Sequence, residues 1–122
     1  MPDYLPKFTG GLSHPTRTAG AGGVTGGQIV TAAGLPAGAG ALDWVGIASQ
    51  DAAAGQLFVA YSGAVQYPTA AGVIAQGARV KCAAGGQVTT WVSGTDVPDA
   101  LVGTALEAAS GAGVQFPVKF TR

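Results

Sequence analysis

Asp96 and Asp99 stand three positions apart, close enough in the chain to raise general acid–base chemistry by paired carboxylates. Their setting argues against it. Ser93-Gly94-Thr95-Asp96-Val97-Pro98-Asp99 reads as a turn in which Asp side chains accept hydrogen bonds from nearby backbone amides. Cys82 is the one thiol and His14 the one imidazole of the chain. Nucleophilic catalysis needs a base beside the nucleophile and a third group to orient that base. His14 lies between Ser13 and Pro15 in a segment with little to hold it. Lys81, the only cation adjacent to Cys82, falls on the opposite face of an alternating strand. Cys82 therefore reads as a small buried apolar residue. One Cys and one His cannot supply the four ligands of a structural zinc site, and calcium wants more clustered oxygens than the 93–99 segment offers.

Two glycine-rich stretches invite a phosphate-loop reading and do not support one. Gly20-Ala21-Gly22-Gly23-Val24-Thr25-Gly26-Gly27 lacks the closing Gly-Lys-Ser/Thr and leads into no helical pattern. Gly38-Ala39-Gly40-Ala41-Leu42-Asp43 has no third glycine at the dinucleotide spacing. Both read as loops. No catalytic residue, cofactor or metal is expected.

The elements that would position any side chain are short strands. Gln28–Ala32, Asp43–Ser49, Gln56–Tyr61, Ala64–Tyr67, Ala78–Ala83, Gln87–Val92, Leu101–Leu106 and Val114–Thr121 are bounded by Gly, Pro, Asp or Ser. Alternation sets Leu57, Val59 and Tyr61 on one face of their strand, and Val114, Phe116, Val118 and Phe120 on one face of theirs. Ala83-Ala84-Gly85-Gly86-Gln87 predicts a hairpin turn, because Gly-Gly accepts positive φ. Pro117 cannot donate to a ladder, so the last strand is expected to be an edge or to bulge there. Residues 98–109 could start a helix at Pro98-Asp99, but Gly103 weakens it and the match described next favours a strand.

A pattern occurs twice. Val45-Gly46-Ile47-Ala48, Asp51-Ala52-Ala53-Ala54-Gly55 and Leu57-Phe58-Val59-Ala60-Tyr61 recur 57 positions later as Val102-Gly103-Thr104-Ala105, Ala108-Ala109-Ser110-Gly111 and Val114 to Phe120. Gly26-Gly27-Gln28-Ile29-Val30 and Gln76-Gly77-Ala78-Arg79-Val80 precede the two copies. The expected fold is all-β: a small β-barrel or β-sandwich-like domain of two similar strand–turn–strand repeats over residues 24–122.

A chain of 122 residues is enough for one domain with its own core. Glycine and alanine are so abundant that large apolar residues are few, so the core is expected to be thin and completed by self-association. Six basic and six acidic residues cancel. Nucleic-acid binding and a polybasic membrane patch are not expected. The uncharged run 52–78 could span a bilayer by length, but it contains Gln56, Ser62, Gln66, Pro68 and Gln76 with period-two alternation, and the first residues carry no secretory signal pattern. Trp44 and Trp91 are the largest side chains, read either as core or as anchors at a protein interface.

Residues 1–23 read as an extended N-terminal arm. Pro2 and Pro6 exclude a helix interior, and the glycines at 10, 11, 20, 22 and 23 add freedom. Tyr4, Leu5 and Phe8 are large and apolar, which unanchored tails seldom carry. Such an arm either docks on a partner or folds back on its own domain.

Together these features resemble the cement, or head decoration, proteins of tailed-bacteriophage capsids. The resemblance rests on the apolar N-terminal arm, Gly-Gly-Gln-Ile-Val, Val45 to Ala48, Asp51 to Gly55, Val59 to Gly63, Ile74 to Val80 and Val102 to Glu107. The Gly-rich linker from Ala19 to Gly27 and the turn from Gly94 to Asp99 depart from the pattern. The resemblance implies a non-enzymatic structural protein on the outer surface of the virion capsid. It would bind the major capsid protein, often as a homotrimer. The apolar residues and prolines of the arm then make Pro2, Tyr4, Leu5, Pro6 and Phe8 the expected capsid-binding element. The alternative is a phage tail or adhesin-type β binding module.

Overall fold

Runs of β-branched and aromatic residues between glycine-rich turns become strands, as their composition dictates. The computed structural model describes residues 12–13 and 16–121. Among these, the strands are β1 (Leu12–Ser13), β2 (Thr16–Thr18), β3 (Ile29–Thr31), β4 (Trp44–Ala48), β5 (Leu57–Gly63), β6 (Val65–Gln66), β7 (Arg79–Ala83), β8 (Gln87–Thr90), β9 (Leu101–Ala105) and β10 (Val118–Phe120). All eight expected strands are present. Residues 98–100 form a single 3₁₀ turn, and β9 follows it, which resolves the 98–109 segment as strand. The β7–β8 hairpin turns at Ala84–Gly86, with Gly85 at φ 72° and Gly86 at φ 74°, in the left-handed region that glycine enters at little cost.

Two antiparallel five-stranded sheets result. One has the order β1-β5-β4-β3 with β2 also on β5, and the other β6-β10-β9-β7-β8. The pairings β1–β5 and β2–β5 keep one register, Ser13 opposite Ser62 and Thr16 opposite Val59, so the two short strands form one interrupted strand. Over residues 12–13 and 16–19 the arm lies back on its own domain: β1 and β2 pair with β5 and Ala19 is buried.

The two sheets are copies of one another. β3-β4-β5 corresponds to β7-β9-β10, in the same order. The turn bonds match as well. The Gly27 N–H donates to Ala48 O and the Gly77 N–H to Ala105 O. Val24 and Ala52 exchange two backbone bonds, as do Ile74 and Ala109. A bulge recurs too: Val30 and Thr31 face Gly46 and Trp44, and Val80 and Lys81 face Gly103 and Leu101. Val45 and Val102 are thus the extra residues, two opposite one. The bulge brings the next strand's backbone against the following glycine. A Cβ on Gly46 would lie 2.4 Å from Tyr61 O, and one on Gly103 would lie 2.2 Å from Lys119 O. Only glycine fits either place.

Each sheet curls until its ends meet. The Ala71 N–H donates to Val88 O and the Val88 N–H to Thr69 O, which ties β8 to the chain just after β6. In the first half, the Thr31 N–H donates to Leu35 O, the Ala37 N–H to Ile29 O and the Gly20 N–H to Gly34 O. A smaller core (Ala19, Val24, Val30, Ala48, Ala52, Phe58, Ala60) fills the first curl. A larger one joins the interior of the second curl to Ile29, Ala37, Trp44 and Ile47 of the first.

One expectation is corrected. Pro117 does not mark an edge: β10 begins at Val118 and pairs on both sides, with β6 and β9, so the proline sits just outside the ladder. The alternation expected of β5 holds: Leu57, Val59 and Tyr61 share its more exposed face, while Phe58 and Ala60 are buried. Gly55 and Gly113, both at positive φ, correspond at 58 positions rather than 57, as do Phe58 and Phe116. The second copy's loop has one residue more, and a one-residue slip exchanges the two faces of a strand. Among the described residues, no helix is long and apolar enough to cross a membrane, and the run 52–78 contains β5 and β6.

Candidate interaction surface

The outward faces of the two sheets differ most along one cross-strand row. In the first sheet Ile29 lies opposite Ile47, and Ile47 opposite Tyr61. In the second, Arg79 lies opposite Thr104, Thr104 opposite Lys119 and Lys119 opposite Val65. The first row is sealed: Ile29 is 0% and Ile47 5% exposed, and Tyr61 packs on the larger core. In the second, Arg79 and Lys119 are exposed, Val65 is 43% exposed and Thr104 is half-buried. Alternate strands are about 10 Å apart, so the two cations flank a threonine at roughly that span.

A loop found only in the second half borders this row. It runs from Trp91 to Val97, between β8 and the 3₁₀ turn. The Trp91 N–H donates to Arg79 O (2.7 Å), and its indole Nε1–H donates to Val97 O (2.9 Å) across the loop. The Arg79 guanidinium lies 5.8 Å from the centre of the Trp91 ring, a cation–π contact. Asp96 closes the loop: its Oδ2 accepts from the Val92 N–H (2.7 Å) and its Oδ1 from Lys81 Nζ (2.5 Å). The Lys81 hydrogen bond, and then the Val92 amide, hold the Asp96 carboxyl below the usual aspartate range. The loop thus presents Val92 and Val97, both about half exposed, from a pinned base.

The acidic and thiol groups nearest this row are already engaged or buried. Asp96 is committed to Lys81 and Val92. Cys82 is fully buried, with Lys81 on the other face of β7, as alternation predicted. Among the described residues, no three His, Cys, Asp or Glu side chains gather where they could hold a metal ion.

The two tryptophans part company. Trp91 sits half-buried at the surface, within the pinned loop. Trp44 is 2% exposed and meets Phe120 edge-on, with ring centres 5.7 Å apart and planes at 88°. It takes the core role, because a ring sealed between the two halves cannot reach a partner in the folded chain. Pro2, Tyr4, Leu5, Pro6 and Phe8 lie outside the described residues. Arg79, Thr104 and Lys119 were not singled out from the sequence. Part of the signal is in the repeat: aligning Gly26–Val30 with Gln76–Val80 sets Arg79 against Ile29, whereas Lys119 falls against Tyr61 only once the extra residue of the second copy is placed.

The chain is similar to known phage proteins in family and in fold. No curated protein matches the chain. Among solved structures, the head fiber gp8.5 N base of bacteriophage phi29 superimposes with a TM-score of 0.69 at 19% identity, over 90% of this chain and 94% of that one. At that identity the likeness is one of fold. The family described as phage cement protein matches residues 9–120. The chain belongs to the phage cement protein family.

Proposed function

We propose that this protein binds the outer surface of a phage head, contacts the major capsid protein, and strengthens the mature particle without catalysing a reaction. The observation that carries the reading is the family match over residues 9–120. The all-β scaffold, the neutral chain, the pairing of Asp96 with Lys81 and the burial of Cys82 support a structural role.

In this reading the arm is the principal anchor. Tyr4, Leu5 and Phe8 would bury apolar surface on the shell, and Pro2 and Pro6 would limit the entropy lost on docking. Trp91 is the anchor candidate on the domain itself. The protein self-associates on the lattice as a trimer. Exposed Leu42, Leu57, Tyr67 and Val73 supply apolar surface for such contacts, each of which would need roughly 1,000 Å².

The test mixes purified protein with undecorated heads, sediments them, and challenges the particles by osmotic shock. Co-sedimentation and better retention of packaged DNA are expected. Protein left in the supernatant would overturn capsid binding, and unchanged DNA release would overturn stabilisation. A truncation of residues 1–11 probes the arm. It spares Thr16–Thr18, which belong to the β5 ladder. Full decoration by the truncated protein would move the anchor to the Trp91 side.

A further inference from the structure

We propose that the outward face of the second sheet, centred on Arg79, Thr104 and Lys119, docks a carboxylate-bearing surface of the capsid shell; the inference rests on the head-binding reading above. The repeat itself carries the argument. The same face of the first sheet is an interface within the molecule, covered by the second half through Ile29, Ile47 and Tyr61. The corresponding row of the second sheet keeps the backbone geometry and exchanges two of those three apolar residues for cations.

Those cations are uncommitted among the ion pairs of the described residues, which consist of Lys81 with Asp96 alone. Trp91, stacked by Arg79, and the exposed Val65 add apolar area at either end of the row. Trp and Arg ringed by smaller apolar groups are the residue types that anchor protein interfaces. Charge complementarity assigns the partner an acidic character. A second copy of this chain is a poorer match. Its exposed acids Asp43 and Asp51 stand at opposite ends of β4, and Asp99 and Glu107 at opposite ends of β9. Within each such pair the acids are separated by the length of a five-residue strand, whereas Arg79 and Lys119 are separated by one intervening strand.

The experiment measures sedimentation with undecorated heads at low and moderate salt, together with light scattering and circular dichroism. The variants are R79E/K119E, the neutral pair R79Q/K119Q, and a control, A39E/Q50E, which adds two negative charges at exposed sites of the first half. The expected result is salt-weakened binding of the wild type, and a loss of about tenfold or more for R79E/K119E. R79Q/K119Q should lose less and show a flatter salt dependence, while the control binds as the wild type does. The neutral pair also decides the matter if the reversed pair fails to fold. Wild-type binding with no loss in either pair overturns the inference and leaves the head-binding reading standing. Intact head binding with a changed oligomeric state assigns the face to self-contact and likewise overturns it. A wild type that never sediments with heads removes both.

Discussion

The two halves share one pattern of backbone bonds and put it to different use. In the first, the outward row of Ile29, Ile47 and Tyr61 is shut against the second half. In the second, Arg79, Thr104 and Lys119 occupy the same ladder positions and face solvent. Strand order, bulge and turn follow from glycines and hydrogen bonds that both halves keep. Inside or outside is decided by three side chains on one row. A duplicated scaffold can therefore bury one copy's face for stability and leave the other's for contact.

The sharpest break of this comparison exchanges the row residues. Ile29→Arg would bury a charge with no partner and should destabilise the fold by more than ~4 kcal/mol, whereas Arg79→Ile should stay within about 0.5 kcal/mol. Chemical denaturation checks both, and similar losses would show that the two faces are not inside and outside. Next come the residues at the head of β4 and β9. Trp44→Ala removes a sealed aromatic and should cost about 3–5 kcal/mol. Leu101→Ala, its counterpart on a half-exposed site, should cost about 1 kcal/mol. The glycine pair tests what the halves hold in common. Gly46→Ala and Gly103→Ala each force a Cβ onto a carbonyl oxygen of the neighbouring strand and should each cost about 3 kcal/mol. A large loss at one and none at the other would break the structural repeat.

The smallest effect is local to the loop that only the second half carries. The Asp96 pKa is depressed in the folded state, so its contribution is present above the ordinary aspartate range and is lost as pH falls through the lowered value. In a Trp44→Phe background, Trp91 emission should shift to the red on acidification below about pH 4. Asp96→Asn should produce the same shift at neutral pH with little change in the unfolding midpoint. An emission spectrum indifferent to both would show that Asp96 does not hold the loop.

The sequence carried the strands that are apolar and bounded by glycine, and it carried the Gly85-Gly86 turn, because both signals are local. It did not carry β1 and β2. Thr16-Arg17-Thr18 is polar and follows Pro15, and its order comes from the ladder to β5 rather than from a buried face. The repeat was visible, but its phase was not: one extra residue before Gly113 makes Phe58, rather than Val59, the counterpart of Phe116. The fate of Trp44 depended on what lies across from the sheet, which alternation along one strand cannot report. The Arg79–Thr104–Lys119 row escaped notice because its members lie on three strands and meet only through register.

The joining of each sheet's two ends has a colloidal consequence. A protein with equal numbers of acidic and basic residues has little long-range repulsion between copies. Charge therefore does little to keep copies apart at high density. Open strand edges at that density would template edge-to-edge aggregation. Because β8 is tied to the chain after β6, and β3 to residues 35–37, much of the backbone that could recruit a stray strand is already engaged. Resistance to edge-to-edge association is here a property of topology, and substitutions that loosen the contacts of Val88 with Thr69 and Ala71 should precipitate the protein before they unfold it.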